Sequence, residues 1–348
     1  MAPESVLVVQ TAYLGDVVLT TPLLDALHRS WPKANLDVLV RPEFASLIRN
    51  HRSGASPRVL DKRGKDRGPI AAILAAARLG GNQYDIAVSP HRSLRTALTL
   101  RMAGIKQRIG FTDAVGAKLY TSTVKRDESL HDVERMLSLL PALGIDTPDK
   151  PELSLGNDRE AAQRVSAIFV EAGIDRRVPL VGVNPGSVWA TKRWMPERFA
   201  QMLDRISGEL NLQTAILGGP QEMELCNRVA DLCRTDVPNL AGRFDLSELV
   251  AAISKLALYV TNDSGPMHIA VALKVPVLAI FGSTVPEQGY APYTSNKEIV
   301  QVEGMECRPC GPHGHQKCPL DHFDCMRKIT VDKAMASLIM LARRNGVI

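Results

Sequence analysis

The sequence predicts two parallel α/β domains in tandem. Short apolar runs of strand length alternate with segments in which apolar residues recur at helical spacing, and this alternation starts again in the second half. The length of 348 residues suits two domains of about 150 residues each. Gly-rich and acidic loops directly follow the strand-like runs. Because ligands bind beyond the carboxyl ends of parallel strands, this placement predicts two binding edges that face a central cleft.

The first half begins with a buried strand and a helix. Val6–Gln10 is an apolar run of strand length, and Asp16–Ser30 has apolar residues at helical spacing until Pro32 ends the pattern. Leu36–Val40 and Ile86–Ser89 are predicted as further strands. This order is typical of repeated β-α-β units.

The second half repeats the pattern after a polar joint around Asn157–Arg177. Strands are predicted over Leu180–Asn184, Thr214–Leu217, Leu256–Thr261 and Val277–Phe281, and helices over Glu197–Leu210, Met267–Leu273 and residues 331–345. We therefore predict an N-terminal domain over residues 1–174 and a second domain over 175–328. A last helical segment, 329–348, follows, with packing back onto the N-terminal domain as one option.

The composition indicates an ordinary globular protein. Hydrophobic residues make up 45% and charged residues 23%, and no run approaches the ~18 apolar residues of a membrane helix. The first ten residues, MAPESVLVVQ, lack the basic flank of a signal peptide, so a cytoplasmic location is expected. A formal charge of +5 gives little support to nucleic-acid binding.

The loop after the first strand carries one candidate catalytic acid. Gly15 allows a tight turn, and Asp16 falls at the predicted start of a helix. Asp is a favourable helix cap, which is the simpler interpretation. The alternative is a general base that the helix dipole keeps ionised.

Two loops of the second half are suited to an anionic ligand. Asn184–Ser187 offers backbone N–H groups and a hydroxyl, and Lys192 adds a positive charge nearby. In Thr261–His268 a strand runs into a Gly turn and a helix, whose first N–H groups form a natural diphosphate site. Asp263 is better suited to sugar hydroxyls. The dinucleotide and P-loop fingerprints are both absent from the sequence.

Two segments are basic. Residues 86–112 contain no acid, and the stretch Asp61–Gly68 reads DKRGKDRG. Solvated faces and a surface for an anionic partner are both open interpretations. The cations of the first segment are Arg92, Arg95, Arg101, Lys106 and Arg108.

Four of the six cysteines lie close together near the C-terminus. Their spacing is C-x2-C-x7-C-x6-C, and only the first pair has the spacing typical of a zinc knuckle. A structural zinc is therefore one alternative, and free thiols or a disulfide are the other. The four candidates are Cys307, Cys310, Cys318 and Cys325.

Three separated motifs resemble glycosyltransferase family 9. They read TAYLGDVVLTTPLLDAL, PGSVWATKRWMPERFA and TNDSGPMHIAVALKVPVLAIFGST, occur in the order of the family, and extend the similarity over essentially the whole chain. The nearest subgroup is the ADP-heptose:lipopolysaccharide heptosyltransferases of type II. The resemblance implies a GT-B fold, an N-terminal acceptor domain, a C-terminal donor domain, and metal-independent transfer that inverts the anomeric centre.

The resemblance also implies roles for individual residues. Asp16 matches the catalytic base, and Lys192 matches the lysine that holds the donor phosphates. Glu222 is expected at the ribose, with Glu224 as a rival, and Phe244 at the adenine. The full implied donor set is Ser187, Lys192, Glu222, Phe244, Asp263, Ser264, Gly265 and His268.

The implied partners are ADP-heptose and the lipid A–inner core acceptor, reached at the inner face of the cytoplasmic membrane. Arg92 and Arg95 are expected to serve this anionic acceptor, and nucleic acid is not expected. No cofactor is required for catalysis. Another acceptor within the family, a GT-B sugar-nucleotide epimerase and a non-catalytic nucleotide-sugar binding module are the alternatives.

Overall fold

A computed structural model describes residues 2–62, 64 and 66–348, and for Pro69 it describes only the backbone. The chain forms two compact units, Met1–Gly156 and Asn157–Ile348. Each unit contains one parallel sheet, which confirms the predicted fold class. Across the described residues, no helix combines the length and the apolar character needed to cross a membrane.

The sheet of the first unit has six parallel strands. They are β1 (Ser5–Val9), β2 (Asn35–Val40), β3 (Ser56–Val59), β4 (Ile86–Val88), β5 (Gln107–Phe111) and β6 (Ser122–Val124). Their order is β3-β2-β1-β4-β5-β6. The order reverses between β1 and β4, so the loops after these two strands diverge and leave a crevice at the carboxyl edge. The apolar runs in β1 and β4 are buried, as expected for strands covered on both faces.

Six helices flank this sheet: α1 (Leu14–Leu19), α2 (Thr21–Ser30), α3 (Ala45–Arg49), α4 (Pro69–Gly80), α5 (Leu94–Met102) and α6 (Asp132–Leu137). The single helix predicted over Asp16–Ser30 is divided at Thr20 into α1 and α2. Pro22 has no N–H to donate to Val18, and the Thr21 hydroxyl donates to the Val18 carbonyl instead, at 2.8 Å.

The sheet of the second unit has five parallel strands. They are β7 (Leu180–Asn184), β8 (Gln213–Ile216), β9 (Leu258–Asn262), β10 (Val277–Ile280) and β11 (Lys297–Val300). Their order is β11-β10-β9-β7-β8, so here the reversal lies between β7 and β9. Both predicted ligand loops, after β7 and after β9, therefore lie at the switch point of this sheet.

The helices of the second unit are α7 (Arg159–Glu171), α8 (Pro196–Leu210), α9 (Met223–Leu232), α10 (Leu246–Ile253), α11 (Gly265–Ala272), α12 (Asp324–Arg327) and α13 (Val331–Arg344). Short 3-10 helices lie at Pro42–Phe44, Ala117–Leu119, Leu140–Leu143, Ala190–Lys192, Pro220–Glu222 and Pro286–Gln288.

The division of the chain differs from the expected boundary at residue 174. The helix α7 belongs to the second unit, because Arg164 Nε donates to Glu248 Oε1 at 2.6 Å and Phe169 packs edge-on against Phe244. The last helix, α13, packs against α8 and β11 within the second unit. Its apolar face, spaced at three and four residues, fits the core beside α8 and β11.

We predict that Leu338→Ala destabilises the second unit. Leu338 is fully buried on α13, so its truncation should lower the free energy of unfolding by about 2–5 kcal/mol. Met340→Ala on the exposed side of the same helix should change it by less than about 0.5 kcal/mol. Urea unfolding followed by the fluorescence of the buried Trp194 measures both variants. Equal effects would contradict the packing of α13 in this core.

Candidate functional site

In the first unit, the loop after β1 presents Asp16 in the first turn of α1. The Asp16 carboxylate accepts a hydrogen bond from the Tyr13 backbone N–H at 3.0 Å, so it caps the helix as the simpler interpretation requires. The capped residue still keeps partial contact with solvent. Capping and catalysis are therefore compatible at this position.

The environment of Asp16 makes its carboxylate unusually basic. Burial raises its pKa from 3.8 to about 6, the negative charge of Asp132 raises it further, and backbone hydrogen bonds in the first turn oppose the shift. Such a group is ionised at neutral pH yet retains affinity for a proton, which is the property that a general base needs.

Cationic and imidazole groups collect beside this loop. His91 follows β4, and its Nδ1 lies 2.9 Å from Thr96 Oγ1 and 3.4 Å from Thr11 Oγ1. Burial, with help from Lys62 and Arg92, lowers the His91 pKa to about 4, so the ring is neutral at pH 7. The predictions from sequence missed His91, although its position directly after a strand was a usable signal.

Lys62 is a second group that the sequence predictions did not single out. Burial and the charges of Arg95 and Arg41 lower its pKa to about 8. Most of this shift comes from burial of the ammonium group, and the two neighbouring guanidinium groups add to it. Of the basic stretch Asp61–Gly68, residues 63 and 65 lie outside the described part of the chain.

The predicted acceptor residues Arg92 and Arg95 both have partners in the first unit. Arg92 forms an ion pair with Asp113, 2.5 Å from Nη1 to Oδ2, and both side chains are exposed. Arg95 donates to the Asp66 carbonyl, while its buried Nε has no hydrogen-bond partner among the described residues. Residues 86–112 do not form one basic face, because Arg108 is buried and donates to backbone carbonyls.

In the second unit, Lys192 and Asp263 are brought together. Lys192 Nζ lies 2.6 Å from Asp263 Oδ2, and both side chains are largely buried, at 13% and 7% exposure. The same carboxylate oxygen accepts a hydrogen bond from Thr284 at 2.6 Å. The expected phosphate ligand and the expected sugar ligand thus form one buried ion pair.

Buried asparagines fix the loops around this pair. Asn262 accepts from the Trp194 N–H at 3.0 Å and donates to the Pro185 carbonyl at 2.8 Å. Asn184 accepts from the Gly186 N–H at 2.9 Å, and Ser187 beyond it is buried. Sequence reasoning missed Asn262 because its partners are about 70 residues away, although it directly precedes Asp263.

The helix α11 begins at this edge of the sheet. Ser264 is its N-cap residue and Gly265 its first residue, and no side chain caps the helix from this position. Pro266 has no N–H and the Met267 N–H donates to the Ser264 carbonyl at 3.2 Å, so the Gly265 N–H is the first-turn group that no described residue accepts and that an anion could use. His268 is buried one turn further along α11.

The remaining donor candidates have structural contacts of their own. Glu222 accepts from the Gly219 N–H at 2.9 Å and lies directly against Gly186, where a Cβ would approach it within 1.8 Å. Its rival Glu224 lies in the first turn of α9. Phe244 is buried against Phe169, with ring centroids 6.4 Å apart. These roles stay predictions.

The cysteine cluster is reduced in this structure. All six cysteines of the chain are free. Within residues 2–62, 64 and 66–348, no three Cys, His, Asp or Glu side chains already converge at a spacing suited to one metal ion.

Comparison with known proteins places this architecture. The family model described as glycosyltransferase family 9 (heptosyltransferase) matches residues 74–322. Lipopolysaccharide heptosyltransferase 3 of Escherichia coli is 27% identical over 280 residues, covering 78% of this chain and 81% of that protein. Lipopolysaccharide heptosyltransferase 2 of Escherichia coli strain K12 is 26% identical over 310 residues, covering 85% and 87%.

Two solved structures share the fold over nearly their whole length. A family 9 glycosyltransferase from Veillonella parvula superposes with a TM-score of 0.88 at 24% identity, covering 98% of both chains. The ADP-heptose heptosyltransferase II of E. coli superposes with a TM-score of 0.79 at 22% identity, covering 98% of this chain and 99% of that one. Together with the family match over more than half of the sequence, this shows that the chain has the GT-B fold and belongs to glycosyltransferase family 9.

Proposed function

We propose that this chain transfers L-glycero-D-manno-heptose from ADP-heptose to a sugar of the lipopolysaccharide inner core, as the type II heptosyltransferases do. The observation that carries the proposal is the group at the β7/β9 switch point, where Lys192, Asp263 and the uncapped start of α11 lie together. A cation beside the Gly265 N–H at a helix N-terminus is suited to a sugar diphosphate. The named relatives act on lipopolysaccharide.

In the proposed reaction, Asp16 takes the proton of the acceptor hydroxyl while the hydroxyl oxygen bonds to the anomeric carbon of the heptose. The bond from that carbon to the β-phosphate oxygen breaks, and ADP leaves from the opposite face. The anomeric centre is therefore inverted. ADP gains negative charge as it leaves, and Lys192 and the Gly265 N–H stabilise that charge. The reaction requires no metal ion or cofactor.

The ion pair of Lys192 with Asp263 holds both side chains in place at the proposed donor site. A donor phosphate would take over Lys192, and the Asp263 oxygens would then be free to accept hydroxyl groups of the heptose. Ser187, Ser264, Gly265 and His268 complete the proposed phosphate site around them. We place the ribose at Glu222 and the adenine near Phe244.

The acceptor is proposed to bind the first unit. Inner-core sugars carry carboxylates and phosphates, and Lys62, Arg92 and Arg95 supply positive charge near the Asp16 loop. Lipid A anchors such an acceptor in the membrane, so the reaction would take place at the inner face of the cytoplasmic membrane.

The decisive experiment mixes the purified protein with ADP-heptose and a panel of truncated core acceptors, and detects heptosylated product by mass spectrometry. Heptose transfer to one inner-core acceptor, with release of one ADP per product, supports the proposal. Conversion of the sugar nucleotide without any acceptor would instead indicate an epimerase. Tight ADP binding without any turnover would indicate a binding module.

We predict that Asp16→Asn lowers turnover by about 10²-fold or more and leaves ADP affinity nearly unchanged, because only the general base is lost. The exposed Asp146→Asn is the matched control. Wild-type turnover should also fall as pH drops through about 6, where Asp16 gains its proton. Near-normal turnover in Asp16→Asn would exclude this residue as the base.

The Asp16→Asn variant also distinguishes a catalytic role from a structural one, because turnover and thermal stability should respond differently. The folded-state pKa of Asp16 lies above its ordinary value, so the ionised side chain costs stability above pH 6. The neutral Asn keeps an oxygen for the Tyr13 N–H and removes that cost. Asp16→Asn should therefore melt at the same or a higher temperature at pH 8, which a purely structural carboxylate would not do.

We predict that Lys192→Ala weakens ADP binding by about 10- to 100-fold, since a charge-assisted hydrogen bond is lost and Asp263 is left beside the phosphates. Lys192→Ala combined with Asp263→Asn should recover part of the affinity, because the repulsion is gone. The exposed Lys255→Ala is the control. Calorimetry with ADP measures all three, and unchanged affinity in Lys192→Ala would remove Lys192 from the donor site.

We predict that the double charge reversal Arg92→Glu and Arg95→Glu raises the acceptor KM and leaves ADP-heptose binding unchanged. Arg101→Glu combined with Lys106→Glu, both exposed, is the matched control for net charge. Initial rates with varied acceptor, together with calorimetry of the donor, test this. Weaker donor binding with an unchanged acceptor KM would mean that the two units have the opposite roles.

A further inference from the structure

The cysteine-rich segment, defined as residues 305–325, encloses a cavity of about 220 Å³. All four of its cysteines and two of its histidines line this cavity: Cys307, Cys310, Cys318, Cys325, His315 and His322. The two other cysteines of the chain, Cys226 and Cys233, lie on or next to α9. The fold therefore gathers residues spread over nineteen positions of sequence around one small space.

The thiols in this cavity make only weak contacts. Cys310 Sγ lies 2.9 Å from the Cys307 carbonyl oxygen, and Cys307 Sγ lies 4.0 Å from His322 Nε2. No disulfide links these cysteines, and their side chains are not at metal-ligand spacing. Next to Cys307, Arg308 has a buried Nε without a hydrogen-bond partner among the described residues. A negatively charged centre in the cavity would give this guanidinium a counter-charge.

The same segment is bonded to the loop that carries Lys192. The Thr191 N–H donates to the His315 carbonyl at 3.0 Å, and the His315 N–H donates to Thr191 Oγ1 at 2.8 Å. Gln316 Nε2 donates to the Val188 carbonyl at 3.0 Å. His313 stacks on Trp189, with ring centroids 6.2 Å apart. These contacts fix the residue that directly precedes Lys192.

The segment is also hydrogen-bonded to the loop that contains Ser283 and Thr284. The Cys310 N–H donates to the Ser283 carbonyl at 2.7 Å, and Arg308 Nη2 donates to the Thr284 carbonyl at 2.7 Å. Thr284 is the residue whose hydroxyl donates to Asp263. Both partners of the Lys192–Asp263 pair are thus adjacent to backbone held by the cysteine-rich segment.

We propose that Cys307, Cys310, Cys318 and Cys325 bind one thiophilic metal ion, and that this ion holds the cysteine-rich segment against the donor loops. On binding, each thiol turns into the cavity, loses its proton to solvent and forms one sulfur–metal bond, with no change of oxidation state. Four sulfur ligands select zinc or iron and leave no open coordination position, so the site is structural. The effect on nucleotide binding rests on the proposed donor site, whereas the metal content does not.

Metal content is measured first, on untagged protein purified without added metal. We expect about one zinc or iron per chain by elemental analysis, and iron in a tetrathiolate site would also absorb visible light. The double variant Cys318→Ser and Cys325→Ser should lose the metal and melt at a lower temperature, whereas Cys233→Ser should keep both. Wild-type protein that is free of metal, or that has fewer than six titratable thiols after metal removal and unfolding, would overturn the site.

The effect on the donor loops is measured with ADP. Metal removal or the cysteine double variant should weaken ADP binding by about fivefold or more. Gly314→Ala should weaken it with the metal still bound, because a Cβ there would lie 2.7 Å from Ser283 Oγ and 2.9 Å from Thr191 Oγ1. Gly304→Ala is the control, since this glycine also has positive φ but no atom within 4 Å of its Cβ.

These outcomes distinguish the positioning role of the cysteine site from the proposed donor site. A bound metal whose loss leaves ADP affinity unchanged, together with wild-type ADP affinity in Gly314→Ala, would overturn the positioning role. Failure of the metal-loaded wild type to bind ADP at all would count against the proposed donor site, while the metal measurement would still decide the cysteine site.

Discussion

The buried carboxylate of Asp263 is the group on which the second unit's site depends. A charge at this depth costs several kcal/mol unless it is paired and hydrogen-bonded, so the fold must supply both a cation and a donor. Lys192 and Thr284 supply them, each at 2.6 Å. Because these residues come from the loops after β7 and β10, one carboxylate after β9 joins three loops across the sheet. The neighbouring Asn262 extends this network to Trp194 and Pro185.

The first unit arranges its carboxylate in the opposite way. Asp16 is buried without a cation, and Asp132 adds a second negative charge to its surroundings, so its pKa rises to about 6. Cations such as Lys62 and Arg92 lie beside the same loop, but none of them is among the causes that set the Asp16 pKa. One unit therefore keeps an acid paired and neutralised, and the other keeps an acid unpaired and basic. That difference is consistent with the roles proposed for the two acids, binding for Asp263 and proton removal for Asp16.

The sequence predicted local structure well where one strand or helix determines it. The strand Leu180–Asn184 was predicted to the residue, and both ligand loops of the second unit lie at its switch point. Local patterns in the sequence do not reach the features that a distant partner decides. The helix α7 is assigned to the second unit by Glu248 and Phe244, and Arg108 is buried because β5 runs through the supposed basic surface. No spacing within the sequence encodes those contacts.

The two proposed binding regions differ in burial, and therefore in how much a substitution in each would destabilise the fold. The donor side chains Lys192 and Asp263 are held by each other and by backbone that is itself hydrogen-bonded, so a substitution at either leaves an uncompensated buried charge. Arg92 and its partner Asp113 are 47% and 37% exposed, and an exposed ion pair contributes about 0–1 kcal/mol. Exchanging such residues costs the fold little. If the proposed roles hold, a substitution at Arg92 would cost the fold less than one at Lys192 or Asp263.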